Sequence, residues 1–213
     1  MEREVDVDTL MADGFRLRGD VRESLSDVAL LSLRQGLRAY FSTYSAMRYS
    51  LHLFRDDATA DQETIDFNHF SDYWDAASET ILHVQHFVEL FVKRIRRSEH
   101  PLLADTASEH PVVLHKLLEG EALNEGERSG VRSLSFDQSF NRFCSLYKAG
   151  RLDRAYNPVY EGRQWIRKLN GLRNRIWHRG AFVLRYPALD RLMGRYVLPL
   201  IESVTALPPY SES

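Results

Sequence analysis

Residues 163–179 read RQWIRKLNGLRNRIWHR. At the 100° per residue of a helix, Trp165, Leu169, Leu172 and Ile176 fall within about 60° of one another. That is the apolar stripe of a helix laid on a core. On the opposite side lie Arg163, Arg167, Asn170, Asn174 and His178, spread over about 80°. Arg173 flanks this polar face, roughly 100° from Asn174, with Trp177 between them. Lys168, Arg175 and Arg179 point to a third side. Upstream, Asn157-Pro158 is a helix start, with Asn as cap and Pro at the first position. Downstream, Gly180 is placed as the stop. The pattern predicts one helix from about 157 to 178 or 179.

The same period recurs along the chain. Leu30, Leu33, Leu37, Tyr40, Phe41 and Tyr44 mark the apolar side of a helix capped by Ser24 or Ser26 and running to about Phe54. Trp74, Ala77, Ile81, Val84, Val88, Phe91 and Ile95 mark a second, from about Phe67 to Arg97. It ends in Lys93-Arg94-Ile95-Arg96-Arg97, cations that suit the negative end of a helix dipole. A further helix is expected at 136–149 and a last one at 187–204. Phe15-Arg16-Leu17-Arg18 alternates and fits a short extended lead-in, and 55–65 is a polar connection. Between 98 and 135, Pro101, Pro111, Gly120, Gly126 and Gly130 interrupt the pattern, leaving a short helix at 112–118. The reading is an all-α, up-and-down bundle of about five main helices. It forms a single domain over 1–213, with its core at 24–204 and an elaboration at 98–135.

Bulk properties set limits. A chain of 213 residues, 44% hydrophobic and 27% charged, suits one globular domain with a core of its own. Its formal net charge is −2, so any polyanion must be held by a local basic patch. Cys144 is the only cysteine; it permits no internal disulfide and favours a reducing, cytoplasmic setting. The opening residues are acidic, unlike a secretory signal. No apolar run approaches the roughly 20 residues of a membrane span, so no membrane partner is expected.

The polar face at 163–179 carries the chemistry. An ordinary surface helix mixes Glu with Lys to gain pairs four residues apart. Here Glu161 is the one nearby acid, and Asn170 and Asn174 are poor formers in mid-helix. Such local costs gather at functional sites. Histidine moves a proton near neutral pH. A guanidinium grips phosphate and offsets charge that develops on it. An asparagine orients a hydroxyl or a phosphate oxygen. Together these parts suit attack by an RNA 2′-hydroxyl on its own phosphodiester, with no metal or other cofactor. Arg173 and His178 lie about 140° apart on an ideal helix, so a two-fold pairing of helices would help them share one cleft.

The residues Arg173-Asn174-Arg175-Ile176-Trp177-His178 resemble the Arg-Asn-x-x-x-His form of the HEPN superfamily motif, and they sit where that motif sits, late in an all-α domain. Gln85 to Lys93 is similar to the family's second-helix pattern, an acid followed four later by lysine. The resemblance covers about residues 24–204. It implies a helical bundle that dimerises through the motif helix and cuts RNA without metal, as toxins, phage-defence effectors and RNA-processing factors do. Arg173 and His178 would be the catalytic pair, Asn174 the polar residue beside them, and Glu89 a support for Arg173. An antitoxin or regulatory protein is a possible partner. Gly180 stands where some HEPN toxins carry a tyrosine that a nucleotidyltransferase modifies, so silencing by that route is not expected. The longer 98–135 segment fits an elaborated member. The alternative is a non-catalytic HEPN-like module that binds RNA or a nucleotide, or dimerises, through the same face. A third reading is a helical scaffold in which the motif is accidental.

Other residues carry weaker signals. Trp177 is either a packing residue or a base-stacking platform. Arg163 and Arg167 are either phosphate contacts or solvated charge. His83 and His86, near Glu79 and Glu89, lack the Glu-x-x-His pairing of a di-metal bundle and read as polar packing. His100, His110 and His115 show no ligand spacing. Cys144 lies on an apolar stretch and reads as buried and inert.

Overall fold

The apolar positions Tyr73, Ala77, Ile81, Val84, Val88, Phe91 and Ile95 return every three or four residues, and each is buried. They belong to a helix that packs along its whole length. A computed structural model describes residues 21–56, 72–106, 110–179, 182–207 and 210. In it α1 (Val21–Asp56) and α2 (Asp72–Glu99) lie against each other as the two longest elements. At Gly36 the two helices approach closely. A Cβ there would meet Val84 N at 3.2 Å and His83 Cβ at 3.3 Å.

The segment expected as an elaboration is ordered by short pieces: α3 (Pro101–Ala104), β1 (Asp105–Thr106), α4 (Pro111–Leu118), α5 (Glu125–Ser129) and β2 (Arg132–Ser133). The two short strands pair antiparallel, Asp105 with Ser133 and Thr106 with Arg132. The described residues are otherwise helical or irregular. Then α6 (Phe136–Lys148) opens on a capping box, with Ser135 accepting from Gln138 N and the Gln138 side chain answering to the Ser135 backbone.

The helix expected over 157–179 is two. α7 (Asn157–Glu161) ends at Gly162, and α8 (Arg163–Arg179) follows. A Cβ on Gly162 would stand 2.7 Å from the Trp165 indole nitrogen and 3.1 Å from the Pro158 carbonyl oxygen, so a side chain here would crowd both. Asn157 does not cap. Tyr156 holds the cap position, and Asn157 Oδ1 instead accepts from the Tyr147 hydroxyl at 2.8 Å.

The last helix is also interrupted. α9 (Tyr186–Leu192) widens into a π-helical turn, Met193–Val197, before α10 (Leu198–Thr205). Pro199 has no N–H to give to the carbonyl four residues back, and the wide turn lies on that carbonyl's segment. The expected stop Gly180, the 57–65 part of the polar connection and the 15–18 lead-in lie outside the described residues.

The core falls into two clusters that α8 joins. One gathers Ala29, Leu33, Phe87, Val88, Phe91, Phe140, Phe143, Ile166 and Val204. The other gathers Tyr40, Met47, Ile81, Val84, Leu169, Ile176, Leu189 and Met193. Burying each of the Phe rings contributes about 2–3 kcal/mol. Along α6 the rings of Phe136, Phe140 and Phe143 stack at 5.6 and 5.9 Å.

A tyrosine cluster fastens α9 to α1. Tyr40 donates to Asp190 Oδ1 at 2.6 Å and Tyr44 donates to the same oxygen at 2.8 Å. Those hydrogen bonds hold the Asp190 carboxyl below its ordinary value, the Tyr40 bond most strongly. Asp190→Ala is expected to lower unfolding free energy by about 1–2 kcal/mol in a denaturant titration, because the buried Tyr40 hydroxyl loses a charged acceptor. No change in the midpoint would show that the cluster does not hold α9. Among the described residues no helix is long and apolar enough to cross a membrane.

Candidate functional site

The side of α8 that faces the core is not the stripe read from the sequence. Ile166, Leu169, Asn170 and Ile176 are buried, while Trp165 and Leu172 are only half-buried. On an ideal wheel the buried side is therefore turned by about 60° toward the Ile166–Arg173 line. This turn decides where each candidate residue stands.

Asn170 is the clearest correction. It was expected on the open polar face as a substrate contact, yet it is 6% exposed. Its carbonyl accepts from Gln85 Nε2 of α2 at 3.3 Å, and its amide donates to Asp137 Oδ1 of α6 at 3.2 Å. Asn170 is a strut between three helices, which accounts for a mid-helix asparagine without any ligand. A polar side chain is tolerated inside because its partners are supplied there.

Arg173 stands at the middle of the buried side and is half-buried. Its Nη1 donates to Asn174 Oδ1 at 2.9 Å, and its guanidinium carbon lies 5.8 Å from the centre of the Trp177 ring. Arg173 and Asn174 are thus brought together, with the guanidinium held from two directions. The expected support from Glu89 is not there. Glu89 accepts from Lys93 at 2.9 Å and from Gln85 at 3.4 Å, since a lysine one turn along the same helix is the nearer cation.

His178 is exposed and makes no hydrogen bond to another described residue. It lies on the outer side of α8, about 140° round the helix from Arg173. One chain therefore does not bring this pair together. Trp177 is exposed at 64%, so it serves no core of this chain.

Arg163 and Arg167 are occupied close to home. Arg163 donates to the Tyr160 carbonyl at 3.1 Å and lies 4.6 Å over the Tyr160 ring. Arg167 donates to Asn141 Oδ1 at 2.9 Å. Arg175 covers the Phe182 ring at 3.8 Å. Among the described residues none of Arg163, Arg167, Lys168, Arg173 and Arg175 forms an ion pair. Among the described residues, the positive charge of these side chains of α8 is left uncompensated.

Two meetings of residues distant in the chain went unread in the sequence, one at Asn170 and one at His86. Asp137 and Gln85 reach Asn170 across 33 and 85 residues, and no local pattern signals such a meeting. At the other, His86 Nδ1 is 2.8 Å from Ser32 Oγ of α1. Partial burial holds the His86 imidazole below its ordinary value; Glu89 opposes this, and His83, Lys93 and Arg173 add to it. The folded chain thus resists a proton that the unfolded chain accepts, so stability falls as pH drops below the usual histidine range. Thermal melts from about pH 7 to about pH 5 are expected to show a smaller loss for His86→Gln than for the parent chain. Equal losses would remove His86 from the acid response.

Cys144, expected to be buried, is half-buried. Burial pushes its thiol up, against the pull of Arg167 and Arg163. No group of three or more His, Cys, Asp or Glu that could hold a metal occurs among the described residues. No family model, curated protein or solved structure matches this chain.

Proposed function

We propose that this chain is a metal-independent endoribonuclease of the HEPN type. The observation that carries this reading is the end of α8. There the Arg173 guanidinium, with no acid partner among the described residues, is fixed by Asn174 and Trp177, five residues before an exposed imidazole. In the reaction the 2′-oxygen attacks the adjacent phosphorus and the bond to the 5′-oxygen breaks. His178 takes the proton from the 2′-hydroxyl or gives one to the departing oxygen. Arg173 offsets the charge that builds on the phosphorane oxygens. Asn174, already bonded to Arg173, orients the substrate. The products are a 2′,3′-cyclic phosphate and a 5′-hydroxyl.

The angle between Arg173 and His178 supports a homodimer through α8, in which one copy's imidazole meets its partner's guanidinium. The exposed Trp177 suits that interface or a stacked base. A toxin or phage-defence role, restrained by an antitoxin or regulatory protein, goes with this reading. The test is cleavage of RNA with a chelator present, followed by identification of the new ends. Cyclic phosphate ends that depend on His178 are expected. RNA that is bound and never cut would move the same face to a non-catalytic binding or dimerisation module.

A further inference from the structure

The outward face of α1 breaks two habits of a surface helix. Between Asp27 and Asp56 it carries no Asp or Glu. Two of its arginines, Arg34 and Arg38, are exposed and form no ion pair or hydrogen bond with another described residue. An isolated surface helix gains by placing an acid four residues from each such cation. This one forgoes that gain twice. It also leaves large apolar side chains in water. Phe41 is 59% exposed, Leu31 50% and Tyr44 43%.

These residues share one strip. Leu31, Arg34, Arg38 and Phe41 fall within about 80° on the helix wheel, pointing directly away from α2. Tyr44 continues the strip along its flank, its ring 6.3 Å from that of Phe41 and nearly parallel, at 26°. The strip runs for about 20 Å. The acid at its edge, Asp190, is already bound by the Tyr40 and Tyr44 hydroxyls. Phe41 and Tyr44 were expected to face the core from their spacing alone. They do not, because Leu33, Ala39, Tyr40, Thr43 and Met47 fill that side.

We infer that this strip is a binding surface for single-stranded RNA. Guanidinia with no partner among the described residues, beside exposed, mutually stacked rings, match what a strand presents, phosphates along its backbone and flat bases free to stack. A strand supplies the counter-charge that these cations lack among the described residues, and a second copy of the same strip does not. The choice of RNA over DNA rests on the function proposed above; the strip's fit to a strand does not.

The test uses the full chain with His178→Ala, to keep the probe intact, and a labelled oligouridylate of about 15 nucleotides. The pair Arg34→Gln with Arg38→Gln is expected to raise Kd at least tenfold. It should also flatten the slope of log affinity against log salt by about 1.4, the loss of two phosphate contacts. Phe41→Ala is expected to raise Kd roughly tenfold with the slope unchanged, and Phe41→Tyr to restore it. Wild-type affinity and slope in all of these variants would overturn the inference. So would tighter binding to vesicles of anionic phospholipid, or to a DNA strand of the same length. The failures separate cleanly. Strip variants that weaken RNA binding in a protein that never cuts RNA would sink the nuclease alone. Cleavage with the strip inert would sink the strip alone.

Discussion

Replacing His178 with alanine is expected to abolish RNA cleavage while leaving RNA binding and folding as they were. The imidazole is exposed and makes no hydrogen bond within the described residues, so its loss should change stability by no more than about 0.5 kcal/mol. A positioned proton-transfer group contributes about 10²–10⁴-fold to rate, a loss that takes cleavage to the detection limit of a gel assay. Arg173→Ala is expected to lower kcat by about 10²–10³-fold, the cost of one donor to a developing oxyanion. Unlike His178→Ala, it also frees Asn174 and uncovers Trp177. Arg173→Lys keeps the charge but not the fork, so it should recover little. If the active unit is the dimer, mixing His178→Ala with Arg173→Ala chains should restore part of the activity, because one composite site in the heterodimer keeps both groups. Cleavage by His178→Ala at the parent rate would remove the imidazole from the chemistry.

The helical class, the long pairing helices and the start of α6 could be read directly, because apolar period and capping residues act locally. Ser135 and Gln138 form their box with no help from the rest of the chain. What escaped was sidedness. The wheel of α8 was set by Trp165 and Leu172, large apolar residues that stay half-buried, whereas the true inner line includes Asn170 and Arg173. A polar residue goes inside when distant partners satisfy it, and Gln85 and Asp137 are distant in sequence. The mirror error placed Phe41 and Tyr44 inside. Hydrophobicity alone does not tell a core ring from one left in water. The break at Gly162 was missed for a related reason: the crowding of that position by Trp165 and the Pro158 carbonyl arises only once the helices are built. Of the candidate site, the neighbourhood of Arg173 and Asn174 was legible because the two are adjacent in the chain, whereas the hydrogen bond between them was not read. The expected Glu89 link fails, since Lys93 claims that carboxylate.

Arg96→Ala is expected to lower unfolding free energy by about 3–5 kcal/mol. Arg96 is fully buried, and its guanidinium donates to the Leu103 carbonyl and to Ser139 Oγ. It thereby ties α2 to α3 and to α6. Removing it leaves a carbonyl and a hydroxyl inside without that donor, at about 1–3 kcal/mol each. It also opens a void where the aliphatic stem lay. Arg96→Met refills the stem but not the donors, so the difference between the two variants isolates packing from hydrogen bonding. Ser139→Ala takes away one acceptor only and should cost about 1 kcal/mol. The effect reaches the site because Ser139 is two residues from Asp137, which steadies Asn170 on the buried side of α8. Against the roughly 5–15 kcal/mol that holds a domain together, such a loss unfolds an appreciable fraction of the chains on warming. Cleavage by Arg96→Ala should then fall in step with the folded fraction seen by circular dichroism, and recover on cooling. His178→Ala should stay inactive at every temperature with its spectrum intact. A denaturation midpoint for Arg96→Ala equal to that of the parent would show that α2 and α6 hold together without the guanidinium.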